Sequence, residues 1–253
     1  MKVIAIIPSR YGSTRFPGKP LALIDGKSMI RRVYERSSAV FEHVCVATDD
    51  LRILDEVKSF GGNAVMTSEK HHSGTDRCYE ALQAVEKEGD IKFDLIVNVQ
   101  GDEPCIEPAQ LLELMNCFND RSTQIATLVK KFLPEEDIFT LNTPKVVVSK
   151  DMNALYFSRS AIPFKRGIET EKWNDGNTYY KHVGLYAFRR EILEQITKLE
   201  QSPLEIAEQL EQLRWLENGY KIKVAVTQHQ SFSIDTPQDL EMLLSNNIIK
   251  KGE

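Results

Sequence analysis

The chain has 253 residues, 42% of them apolar and 27% charged, with a formal net charge of -5. That length buries one sizeable core, and the acidic balance excludes a general nucleic-acid surface, which needs a surplus of Lys and Arg to meet phosphates. The opening Met1-Lys2-Val3-Ile4-Ala5-Ile6-Ile7-Pro8 is too short for a signal-peptide apolar region, and no later apolar run reaches a membrane span, so a cytoplasmic chain with no membrane attachment is expected.

In chain order, short β-branched runs alternate with helical patterns, the mark of an α/β fold with a mostly parallel twisted sheet flanked by helices. Val3 to Ile7 is the first strand, and Met29, Ile30, Val33 and Tyr34 recur at helical spacing behind the loop that follows it. Val44 to Ala47 is the second strand, and Leu51, Ile53, Leu54, Val57 and Phe60 mark a helix stopped by Gly61-Gly62. Ala64 to Thr67 makes a third strand. Ser73-Gly74-Thr75-Asp76-Arg77 supplies cap-type residues before a helix bearing Cys78, Leu82 and Val85, and Leu95 to Val99 is a buried strand running into Gln100-Gly101-Asp102-Glu103-Pro104.

Beyond about residue 130 the pattern loosens, with strands expected at Val146 to Val148, Ala154 to Phe157 and Val183 to Phe188 around a polar segment near Glu169 to Thr178. We therefore expect a single domain over residues 1–253 with a smaller inserted lobe at about 130–190, serving as a lid or subunit contact. A helix from Leu204 to Glu217, a strand from Ile222 to Val226 and a helix after Pro237 close the chain. Cys45, Cys78, Cys105 and Cys117 form no C-x-x-C pair and read as reduced structural thiols rather than zinc ligands.

The chemistry concentrates in two loops. Arg10-Tyr11-Gly12-Ser13-Thr14-Arg15-Phe16-Pro17-Gly18-Lys19-Pro20 crowds three cations, two hydroxyls and two glycines after the first strand. Glycines admit backbone N–H groups to phosphate oxygens, Arg forks clamp them, and Lys adds a point charge, so a triphosphate suits this loop better than a solvated basic turn. The spacing is not that of a Walker loop. In Asn98-Val99-Gln100-Gly101-Asp102-Glu103-Pro104, Asp102 suits Mg²⁺, which takes hard oxygen ligands from one or two carboxylates and substrate phosphates, and reads equally as a turn or cap residue. Asp235, before Thr236-Pro237, offers a second carboxylate or a helix start. Along a strand, His182, Gly184 and Tyr186 share one face, which would form a ligand wall with room in its middle or a piece of core.

These segments resemble one family. Ile7-Pro8-Ser9-Arg10-Tyr11-Gly12-Ser13-Thr14-Arg15-Phe16-Pro17-Gly18-Lys19-Pro20-Leu21 is similar to the amino-terminal signature of the CMP-Kdo synthetases, within the sugar nucleotidyltransferases. Asn98 to Pro104, Ser233 to Leu240 and Ser73 to Arg77 resemble further motifs of that family, in family order from Ile7 to Leu240. The resemblance implies a nucleotide-diphospho-sugar transferase-like, Rossmann-like fold, a homodimer built through the later lobe, and transfer of CMP from CTP to the acidic sugar Kdo for lipopolysaccharide synthesis. It implies Arg10, Ser13, Lys19, Ser73, Thr75, Arg77 and Gln100 at the nucleotide, with Arg10, Arg15, Lys19 and Asp102 catalytic and Asp102 and Asp235 binding Mg²⁺. Gln100, Arg159, His182, Tyr186, Glu211 and Gln212 would face the sugar. Another sugar acid, such as 8-amino-Kdo or a sialic acid, is the alternative substrate, and a catalytically silent nucleotide-binding protein is the alternative from another class. Ser9, Gly12 and Cys105 depart from the common family residues without removing a functional side chain.

Overall fold

The computed structural model describes residues 1–71, 73–176, 179–230 and 232–245. The chain forms two compact units, Met1–Leu111 with Gln230–Glu253, and Leu112–His229; the lobe expected at about 130–190 falls inside the second. Among the described residues no helix is long and apolar enough to cross a membrane.

The first unit is built on β1 (Val3–Ser9), followed by a small hairpin of β2 (Leu23–Ile24) and β3 (Lys27–Ser28). Then come α1 (Met29–Ser38), β4 (His43–Thr48), α2 (Leu51–Ser59), β5 (Ala64–Met66), α3 (Gly74–Gly89), β6 (Leu95–Asn98) and the start of α4 (Pro108–Asn116). Its strands lie in the order β6-β1-β4-β5, all parallel, with Ile4 opposite His43 and Val3 opposite Leu95. Because β1, β4 and β6 are covered on both faces, they read as continuous apolar runs; Ile4, Ile6, Ile7, Val46, Ile96 and Val97 are at most 1% exposed, while the edge strand β5 is partly open.

Helices α1, α2 and α3 each begin on a residue that satisfies an orphan N–H. The Ser28 side chain accepts from Arg31 N–H, Asp50 from Arg52 N–H and Ser73 from Asp76 N–H. After β1 the chain steps outward through β4 and β5, and α3 then returns it to β6 on the other side of β1. The order therefore reverses between β1 and β6, and in open α/β sheets ligands bind outside the carboxyl ends of strands at such a point. The two motif loops, 10–19 and 100–104, leave from those two strands.

A separate apolar cluster of Ile24, Met29, Cys105, Ile234 and Leu243, with Phe16, Ala22, Phe232 and Leu240 against it, fastens the end of the first loop and the terminal helix Pro237–Ser245 to this unit. The cysteines are thiols; burial pushes Cys45 up to about 12 and Cys105 up to about 11.

The second unit holds β7 (Ile125–Lys131), β8 (Lys145–Val148), β9 (Ala154–Ser158), β10 (Tyr180–Arg189), α5 (Arg190–Ile196), α6 (Pro203–Glu208), α7 (Gln212–Glu217) and β11 (Ile222–Val226). Strand β10 runs antiparallel to β7 and β8, β9 antiparallel to β8, and β11 parallel to β7. Sequence reading missed β7. It also gave residues 204–217 as one helix, and the structure corrects this: Gln209 adopts a left-handed φ of 53°, ending α6, and Leu210 turns into the core before α7 begins. The two pieces are clamped by a buried bidentate pair, Arg214 to Glu205, at 2.7 and 2.6 Å. The polar segment contains a 3-10 turn at Thr170–Lys172, and Thr178 lies outside the described residues.

Candidate active site

The first unit carries a cavity of about 290 Å³ at the carboxyl ends of β1 and β6. Arg10, Ser13, Arg15, Lys19, Ser73, Arg77, Gln100, Asp102 and Asp235 all line it, so nine residues singled out in sequence converge on one place. At its centre Lys19 Nζ donates to Asp102 Oδ2 at 2.7 Å and to Asp235 Oδ1 at 3.3 Å, while Arg15 Nη2 lies 3.1 Å from Asp235 Oδ1. The Lys19 side chain is 13% exposed, a setting in which charge–charge attraction is stronger than in bulk water.

Two local features bring Asp235 there. Ile234 N–H donates to the Asp102 carbonyl at 2.9 Å, which ties the segment before the terminal helix to the loop after β6. The helix is then started by its neighbours: Thr236 Oγ1 accepts from Asp239 N–H at 3.2 Å, and the Asp239 carboxylate accepts from Thr236 N–H at 2.8 Å. Thr236 is thus the cap, and the Asp235 carboxylate is left for Lys19 and Arg15. Glu103, beside Asp102, turns inward and is only 6% exposed; burial, and then the Asp102 charge, push its carboxyl up to about 8. Only one carboxylate of the Asp102-Glu103 pair therefore lines the cavity.

Gly101 explains itself here. A Cβ on it would stand 2.5 Å from Ser9 Oγ and 3.1 Å from the Pro8 carbonyl, so the loop after β6 passes β1 only because that position lacks a side chain. Arg77 reaches the cavity wall, but its guanidinium donates to Thr67 Oγ1 and Asp49 Oδ2, each at 2.6 Å, and so braces the ends of β4 and β5 against α3. Thr75 is 3% exposed inside α3 and is not part of the lining. Sequence reasoning missed His71, which lines the cavity with Nε2 against Glu80 Oε2; a lone His in a polar run carries no periodic signal.

The donor set facing this cavity fits magnesium. Asp102 and Asp235 supply hard carboxylate oxygens, both on Lys19, while the imidazole of the lining, His71, is engaged by Glu80, and no cluster of three or more His, Cys, Asp or Glu poised for a metal occurs among the described residues. An ion held by two carboxylates takes its remaining oxygens from substrate phosphates and water, as Mg²⁺ does.

The second unit carries the other predicted set. His182 and Tyr186 sit on one face of β10 with ring centroids 5.2 Å apart, even though the register against β7 shifts between Val183 and Tyr186. Thr127, on the strand that sequence reading missed, donates its hydroxyl to the Leu185 carbonyl at 2.7 Å and lies 3.1 Å from His182 Nε2. With its proton committed to the carbonyl, the hydroxyl oxygen accepts from Nε2–H, which leaves Nδ1 of a neutral imidazole as an acceptor. Burial lowers the His182 pKa to about 4, consistent with a neutral ring.

Tyr186 packs edge-on against Trp215, and burial, then the Glu211 charge, push its phenol well above the usual range. Gln212 Nε2 and Trp215 Nε1 are buried without a hydrogen-bond partner, two donors in want of oxygen. Glu211 immediately precedes α7, which carries both Gln212 and Trp215. Arg159 is occupied elsewhere: it donates to the carbonyls of Glu208, Leu141 and Gln209 at 2.8, 3.0 and 3.3 Å.

The chain is similar to proteins of known activity. A family model described as Cytidylyltransferase matches residues 4–222. A 3-deoxy-manno-octulosonate cytidylyltransferase of Parabacteroides distasonis is 57% identical, covering 97% of this chain and 98% of its own, and that of Bacteroides thetaiotaomicron is 58% identical over 95% and 96%. A solved CMP:2-keto-3-deoxy-manno-octonic acid synthetase complexed with CTP matches with a TM-score of 0.86 at 40% identity, over 98% of this chain and 99% of the other. A 4-diphosphocytidyl-2C-methyl-D-erythritol synthase from Anaerococcus prevotii, at 14% identity, TM-score 0.62 and coverage of 97% and 96%, shares the fold alone.

Proposed function

The chain belongs to the 3-deoxy-manno-octulosonate cytidylyltransferases of the cytidylyltransferase family, and on that premise we propose that it joins the CMP moiety of CTP to Kdo and releases pyrophosphate. The observation that carries this reading is Lys19 held between Asp102 and Asp235 at the floor of a cavity rimmed by Arg10 and Arg15.

In the reaction the anomeric 2-hydroxyl of Kdo attacks the α-phosphorus, its proton passes to solvent, and the bond to the β-phosphate oxygen breaks. The chain contributes mainly charge and position, as phosphoryl-group chemistry requires. Lys19 has three N–H donors, two of them on carboxylates, which leaves one for a phosphate oxygen. Arg10 and Arg15 clamp the departing pyrophosphate, and Ser13 adds a hydroxyl on the same loop. Ser73 and Gln100 line the nucleotide side, while Arg77 fixes the wall through Asp49 and Thr67. Asp102 and Asp235 would hold Mg²⁺, which when bound neutralises charge at the α-phosphate and eases ionisation of the attacking hydroxyl.

On the sugar side, Nδ1 of His182 accepts a hydroxyl, and Gln212 with Trp215 supplies the unmatched donors that a polyol satisfies. Tyr186 and Glu211 complete that wall, and Arg159 holds the turn after α6 in place while offering charge to the sugar carboxylate. A homodimer through the second unit is part of the same proposal, supported by its exposed Phe164, Leu141 and Ile168.

The reading is tested by Asp102→Ala. Loss of a charge-organising group at the reacting phosphate lowers kcat by about a thousandfold or more. A variant that is folded and turns over at a near-normal rate would overturn the assignment.

A further inference from the structure

The loop that carries Arg10, Ser13, Arg15 and Lys19 is organised around Tyr11. Its carbonyl accepts Ser13 N–H at 2.9 Å and Gly18 N–H at 3.0 Å, which closes the loop on itself. Its ring packs on Gly18, where a Cβ would stand 3.1 Å from three ring-end atoms, and Gly18 has the left-handed φ of 72° that leads the chain into Lys19. The ring is also covered by a residue from another element. The guanidinium carbon of Arg52 lies 3.3 Å from the Tyr11 ring centroid, a close stacking contact.

Arg52 does not line the cavity, and its side chain is 58% exposed. It is held in one orientation by its own helix start. Asp50, the residue that caps α2, accepts from Arg52 N–H at 2.9 Å and from the guanidinium Nε and Nη2 at 2.9 and 2.6 Å. A single carboxylate thus caps the helix and lays the guanidinium plane over the aromatic ring.

We propose that Arg52, aligned by Asp50, is a positioning residue that latches the triphosphate loop through the Tyr11 ring. A loop with Gly12, Ser13 and Gly18 has many conformations to lose when it wraps phosphates, and pinning its hub lowers the ordering cost that CTP binding must meet. This inference rests on the reading that the loop meets the triphosphate of CTP.

The test is steady-state kinetics on Arg52→Ala, Tyr11→Leu, their double variant and Tyr11→Phe, with Arg10→Ala as a marker of the loop's role. The first two each raise the KM for CTP about two- to fivefold, the range for one exposed cation–aromatic contact, with kcat, the KM for Kdo and the melting midpoint of Arg52→Ala unchanged. The double variant is no worse than the worse single one, and Tyr11→Phe, which keeps the ring face, behaves as wild type. Additive losses in the double variant, or an unaltered KM for CTP in Arg52→Ala while Arg10→Ala raises it, would overturn the latch alone. An unaltered KM in Arg10→Ala would remove the loop reading and the latch with it.

Discussion

Asp102 and Asp235 are far apart in the chain, yet one ammonium group bridges them. Lys19 marks the place where the fold concentrates negative charge, and that charge is the reason a cation and a triphosphate can share the cavity. His182 shows the opposite strategy, a titratable group kept neutral. Its pKa in the fold, about 4, lies below the ordinary 6.5, so between those values the unfolded chain binds a proton that the folded chain does not. Its contribution to stability is complete above about pH 6.5 and declines as pH falls toward 4. In His182→Gln, denaturation midpoints followed across that window fall less steeply than in wild type. An equally steep fall would mean that burial of His182 does not set the acid limb.

At the scale of elements, the crossing of the β6 loop over β1 depends on Gly101. Gly101→Ala forces its Cβ against Ser9 Oγ and the Pro8 carbonyl, an overpacking that costs about 1–3 kcal/mol in equilibrium denaturation. Adding Ser9→Ala recovers part of that loss, whereas a fully stable single variant would show that the loop shifts freely. Strands β1, β4, β5 and β6 and helices α1, α2 and α3 were legible from their apolar runs, two of which end in residues of distinct chemistry, Arg10 after β1 and Gln100-Gly101-Asp102 after β6, whereas the β2–β3 hairpin and α4 went unread. What stayed hidden has physical causes. Gln209 breaks the expected helix without Gly or Pro to announce it, because the break is fixed by Leu210 burial and the Glu205–Arg214 pair. Strand β7 ends in Lys130-Lys131, which blurs its apolar signal, and with it Thr127 escaped notice. Arg159 and Arg77, expected at the sugar and at the nucleotide, are tied to protein oxygens that their positions in the sequence do not announce.

For the whole molecule, the second unit leaves Phe164 74% and Leu141 64% exposed, apolar surface of the kind that association covers. Sedimentation of the wild type at twice the chain mass, and of Phe164→Asp at the mass of one chain, is the expected pair of results; a wild-type monomer would remove the dimer from the proposal. The central claim is the reaction itself. Pyrophosphate release is measured with each of the four nucleoside triphosphates and Mg²⁺, with and without Kdo, 8-amino-Kdo and a sialic acid. The account predicts release only when CTP and Kdo are present together, and none after Mg²⁺ is chelated. Release with another sugar acid but not with Kdo, or no release with any pair, would contradict it.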